Sequence, residues 1–121
     1  MGTRRKVCKL YSNDDLRAWF DLFNARYFGG RLEVARIEFT TMNLLGRTVR
    51  VRDGKRRSQH DKWWILVNRN YRGSRRIAAG TLLHECVHVE QRCMYSCGYN
   101  GHRFNRRMKE LAVRGALNGI W

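Results

Sequence analysis

Between Leu16 and Tyr27 the large apolar residues Leu16, Trp19, Phe20, Phe23 and Tyr27 fall three or four apart, the spacing of one face of an α-helix. Ser12 followed by Asp15 is a helix-start signature, and Gly29-Gly30 stops the run. The period then changes. Glu33 to Thr41 carries Val34, Ile37 and Phe39, and Arg47 to Arg52 alternates Val49 and Val51 against Thr48, Arg50 and Arg52, the pattern of half-buried strands. Asp53-Gly54 signals a turn, and Lys62 to Asn68, with Trp63, Trp64, Ile65, Leu66 and Val67, reads as a third strand. A short antiparallel three-stranded sheet is therefore predicted after the first helix. Ser74 to Met94 lacks proline, carries Ile77, Ala78, Leu82, Leu83, Val87 and Val89, and offers Ser74 as N-cap, so a helix of about five turns is predicted. After the glycine-bearing turn Cys97 to Gly101, a last helix from His102 to about Leu117 should bury Phe104, Met108, Leu111 and Ala112.

The chemistry is concentrated in the long helix. Leu82-Leu83-His84-Glu85-Cys86-Val87-His88 sets two imidazoles one turn apart with a carboxylate beside the first. Residues four apart share a helix face, so His84 and His88 can grip one Zn²⁺ while Glu85 reaches its water. Catalytic zinc takes three protein ligands and leaves a fourth position for water, whose pKa falls to about 7 there. Glu85 reads as the general base, and then as the acid that serves the leaving amine. A random chain of this composition would show the motif with a probability of roughly half a per cent.

Two histidines remain as third ligand. His60 lies in the charged stretch Ser58-Gln59-His60-Asp61-Lys62 and reads as a solvated loop residue. His102 follows the glycine-bearing turn at the start of the last helix, where a chain reversal can bring it back over the motif. It is the favoured ligand, because the pair otherwise has no obvious third partner.

Three stretches carry a family resemblance: Phe23-Asn24-Ala25-Arg26-Tyr27-Phe28-Gly29-Gly30-Arg31-Leu32, the Leu82 to His88 motif, and Gly101-His102-Arg103-Phe104. On these the chain resembles, over nearly its whole length, the catalytic domain of the SprT-like zinc metalloproteases, the Spartan family. The resemblance implies His84, His88 and His102 as zinc ligands and Glu85 as the catalytic residue. It also implies substrates that are proteins on DNA, including covalent DNA-protein crosslinks, with DNA recruiting the enzyme. The family often has His-Gly-Pro or His-Gly-x-x-Phe at the third ligand, whereas here Gly101 precedes His102. The expectation is a small zincin-like α+β domain over residues 1–121, without a C-terminal zinc ribbon.

Charge adds a partner to this picture. Lys and Arg number 25 against 10 acidic residues, a net charge of +15, which in so small a domain reads as a nucleic-acid footprint. Arg50 and Arg52 share a strand face and Lys55, Arg56 and Arg57 occupy the adjoining turn. Arg72, Arg75 and Arg76 lead into the motif helix, and Arg103, Arg106 and Arg107 line the last one. DNA with single-stranded character is the expected partner beside a protein substrate, with Trp63, Trp64, Tyr95 and Tyr99 as candidate stacking residues. The alternative is a non-catalytic basic DNA-binding module whose zinc is structural. No apolar run reaches membrane-spanning length and no signal core follows the basic start, so a cytoplasmic, nucleoid- or nucleus-associated monomer is expected, neither secreted nor membrane-bound. Cys86 should pack as a small hydrophobe; Cys8, Cys93 and Cys97 lack the spacing of a zinc knuckle and are expected to stay reduced.

Overall fold

Three helices and a small mixed sheet make up the fold in a computed structural model that describes residues 10–52, 62–92 and 99–116. Helix α1 spans Asn13–Tyr27 and begins with a full capping box: Asp15 N donates to Ser12 Oγ (3.3 Å) and Ser12 N to Asp15 Oδ2 (2.8 Å). It ends where Gly29 (φ 62°) and Gly30 (φ 71°) take left-handed backbone, which lets Gly30 N donate to Asn24 O (2.8 Å). Asn24 then holds the returning chain, its side chain donating to Leu32 O and accepting from Leu32 N.

The strands are β1 (Arg36–Thr40), β2 (Gly46–Val51) and β3 (Lys62–Asn68), and the sheet order is β1-β3-β2. The expected all-antiparallel sheet is corrected here. β2 pairs antiparallel with β3, but β1 pairs parallel with it. The third strand enters between the first two because it is the most apolar of the three, with Trp63, Ile65 and Val67 buried and Trp64 and Leu66 half-buried. The facing of β2 also departs from its sequence pattern. Thr48 is buried, whereas Val49 and Val51 are only half-buried.

A short 3₁₀ turn (Arg69–Tyr71) leads to helix α2, Arg75–Glu90, capped by Ser74, whose Oγ accepts from Ile77 N (3.2 Å). It has about four and a half turns, a little fewer than predicted. α2 packs on α1, α3, β2 and β3, which explains why Ala78, Ala79, Leu82, Leu83, Cys86, Val87 and Val89 are buried and one face, through Ile77, Thr81 and His84, is left more open. Emptying such a site, as in Leu83→Ala, costs about 2–5 kcal/mol. Cys86 is fully buried, as expected, and burial raises its thiol pKa far out of the reactive range. Helix α3 spans Tyr99–Val113 and so starts three residues before His102. Phe104 and Leu111 are buried and Met108 half-buried, but Ala112 is exposed. Among the described residues no helix is long and apolar enough to cross a membrane.

Candidate metal centre

α2 brings together the group the spacing predicted. The ligating atoms of His84, Glu85 and His88 lie within 4.8 Å of one another, and the two imidazole centroids are 5.0 Å apart. Two imidazoles and a carboxylate are a donor set that suits a divalent metal ion.

The surroundings tune each member differently. Glu85 is only 4% exposed, and burial raises its carboxyl pKa from 4.5 to about 7, opposed by a hydrogen bond from Thr48. Thr48 Oγ1 donates to Glu85 Oε1 at 3.1 Å, with Glu85 O a second acceptor at 3.3 Å. His84 is half exposed, and its pKa falls from 6.5 to about 4, first through desolvation and then through its neighbour His88. His84 Nε2 stands 4.0 Å from Glu85 Oε2, yet this is no ion pair at neutral pH, because the imidazole is uncharged there. A neutral imidazole is the form that binds metal.

Two neighbours of this group were not legible in the motif. The buried ring of Phe104, from α3, lies 4.5 Å from the His84 centroid and stacks 4.4 Å from that of His88, walling both imidazoles on one side. Gly46 lets β2 approach α2 closely: a Cβ there would meet Thr81 Cγ2 at 2.5 Å and Leu66 O at 3.1 Å. The face of β2 that looks polar in sequence is thus the one turned to α2, with Gly46 and Thr48 against the glutamate and Arg50 further along. A cleft of about 690 Å³ opens beside the group, lined by the apolar Leu44, Leu45, Ile77 and Met108 and by the polar Asn43, Arg76, Thr81, His84 and Glu85.

His102 does not join the group. It is exposed on the first turn of α3, and the metal-capable cluster found among the described residues contains His84, Glu85 and His88 without it. The reason is helical geometry: positions two apart point about 200° away from each other, so the helix that packs Phe104 onto the imidazoles turns His102 aside.

The predicted phosphate contacts fall into two sets. Some arginines serve the fold. Arg50 Nη2 donates to Arg92 O at the end of α2 (3.3 Å), and its guanidinium covers Trp63. Arg72 Nε donates to Tyr11 O (3.1 Å). Arg107 binds Glu90 (2.9 Å) and Tyr27 O (2.6 Å) across the join of α1, α2 and α3. By contrast, Arg52, Arg75, Arg76, Arg103 and Arg106 are exposed. Arg103 and Arg106 line a hollow with Arg31, Arg107 and Arg114, in which Glu90 and Glu110 also stand. Of the stacking candidates, Trp63 is buried under Arg50 and Arg92, and Trp64 is half-buried beneath Arg36. Tyr99 is the first residue of α3. Lys55, Arg56, Arg57 and Tyr95 lie outside the described residues, as do His60, Cys8, Cys93 and Cys97.

Set against protein-family models, curated proteins and solved structures, the chain matches none of them.

Proposed function

We propose that the chain is a zinc-dependent, SprT-like peptidase of zincin-like fold that cuts proteins held on DNA. The observation that carries this reading is a buried carboxylate, Glu85, in the same metal-capable group as His84 and His88, fixed by Thr48 and lining an open cleft.

His84 and His88 would hold the ion; they are two of the three protein ligands a catalytic zinc takes, and Glu85 is the other ligating group beside them among the described residues. Zinc bound there polarises a peptide carbonyl and acidifies water. Glu85 takes one proton from the attacking water and passes it to the departing nitrogen, so that one water is consumed, a C–O bond forms and the C–N bond breaks. Its pKa near neutrality suits an exchange in both directions. Phe104 keeps bulk water from one side of the imidazoles and holds their rings. The exposed arginines supply phosphate contacts, so recruitment to DNA weakens as salt rises.

The test is cleavage of a DNA-bound protein by zinc-loaded wild type and Glu85→Gln, with and without single-stranded DNA, after equal metal content is confirmed. Cleavage by wild type alone, dependent on DNA, is the expected result. DNA binding with no cleavage by either protein would replace this reading with a basic module holding a structural zinc.

A further inference from the structure

We propose that the cleft beside Glu85 is a specificity subsite that takes one bulky apolar side chain, of the leucine or phenylalanine kind, from an extended peptide. This rests on the peptidase reading and names the substrate feature it selects.

Leu44 and Leu45 are 61% and 53% exposed, and Ile77 faces them across the cleft at 36%. Single exposed leucines are ordinary, whereas apolar residues gathered on one concave wall mark a binding surface. These leucines are also held in place. Asn68, itself buried, donates through Nδ2 to Met42 O (3.1 Å) and Leu44 O (2.8 Å), and its backbone N–H donates to Leu45 O (2.8 Å). A buried residue that donates to three carbonyls of one short loop fixes that loop, and the loop holds both leucines at the exposure they show.

The two ends of the cleft ask for different chemistry. His84 and Glu85 form the polar end, where a peptide carbonyl and its amide would sit for hydrolysis. Leu44, Leu45, Ile77 and Met108 form the apolar part, and Asn43, Gly46, Arg76, Gly80 and Thr81 complete the lining, with no second carboxylate among them. A residue whose carbonyl reaches Glu85 and whose side chain lies on this wall satisfies both ends. An acidic side chain laid on the leucines would lose its hydration there, and pairing with Arg76, the cation of the lining, would draw it off the apolar wall. The cleft volume of about 690 Å³ lies within the roughly 300–1,000 Å³ of pockets that bury small ligands, enough for one such side chain and the adjoining backbone.

The experiment uses the full chain loaded with zinc, in the presence of single-stranded DNA, and three flexible Ser/Gly-rich peptides that differ at one position, leucine, glycine or aspartate. Cleavage is followed for wild type, for the double variant Leu44→Ser/Leu45→Ser, and for Leu22→Asn, an exposed leucine on α1 outside the cleft. Binding of the same peptides to zinc-loaded Glu85→Gln, with and without the two serines, is measured by fluorescence anisotropy. Burial of a leucine side chain predicts kcat/KM about tenfold to a hundredfold higher for the leucine peptide, falling to within about threefold in the double variant and unchanged in Leu22→Asn. Equal cleavage of all three peptides by wild type would overturn the subsite and leave the peptidase reading intact. No cleavage, but leucine-selective binding that the two serines abolish, would keep the subsite and overturn the peptidase. Neither cleavage nor selective binding would overturn both.

Discussion

Glu85 carries a cost that the metal-free protein should display. Its folded pKa of about 7 lies above the ordinary 4.5, so the folded state keeps a proton that the unfolded chain has already released. Stability from this group is therefore complete below about pH 4.5 and is lost as pH rises through 7, a loss of about 3 kcal/mol. His84 acts in the opposite sense: its depressed pKa means stability is gained as pH rises from about 4 to 6.5. The two windows overlap, so the informative quantity is a difference. In chelator-treated protein, the urea midpoint of Glu85→Gln should rise relative to wild type between pH 5 and 8; a constant difference would mean that burial does not hold Glu85 protonated. Thr48 gives a second expectation at this scale. Thr48→Val keeps the shape but removes the hydroxyl that orients Glu85, and under the proposed function kcat should fall about tenfold or more with KM and zinc content unchanged. Thr48→Ser restores the donor and should recover most of that rate. The Glu85 motif was legible because its spacing is a helical property. Thr48 was not, because period-two reading of β2 counts valines as the buried set, and the strand instead turns its small and polar face to a buried carboxylate.

Helix and strand boundaries followed closely from local signals: the Ser12 and Ser74 caps, the glycines after Tyr27, and the apolar run from Lys62 to Asn68 all stand where the elements begin or end. Strand direction did not, since hydrophobicity favours β3 as the central strand but does not say that it runs parallel to β1. The rotation of α3 was equally hidden. Starting at Tyr99 rather than at His102, the helix presents Phe104 to the imidazoles and carries His102 away from them. From this orientation, His102→Ala should keep zinc affinity within about threefold in a competition titration, whereas His88→Ala should lose about a hundredfold or more. A large loss in His102→Ala would show that α3 turns about its axis when metal binds. Phe104→Ala should cost about 3 kcal/mol in urea unfolding, since it empties a buried position at the join of two helices.

Across the whole molecule, a net charge of +15 overstates the positive surface available to DNA, because arginines here do two kinds of work. All three arginines line one open hollow, but Arg107 is mostly buried, spans three helices and neutralises Glu90, while Arg103 and Arg106 on the same helix are exposed. One helix thus supplies a control within its own length. Replacing Arg107 by Gln removes charge-assisted hydrogen bonds at a packed join and should lower stability by about 2 kcal/mol. Replacing Arg103 and Arg106 together by Gln should leave the unfolding midpoint within about 0.5 kcal/mol of wild type, as surface changes do. On DNA the order reverses. If each exposed guanidinium neutralises one phosphate, the slope of log K against log salt should drop by about 1.4 for single strands or 1.8 for duplex in the double variant, while Arg107→Gln, measured where it is folded, should keep the wild-type slope. The same pair of measurements decides the role of the charge. A slope unaltered by both changes would mean that α3 does not face DNA and that its exposed arginines serve to keep the domain apart from its own copies in solution.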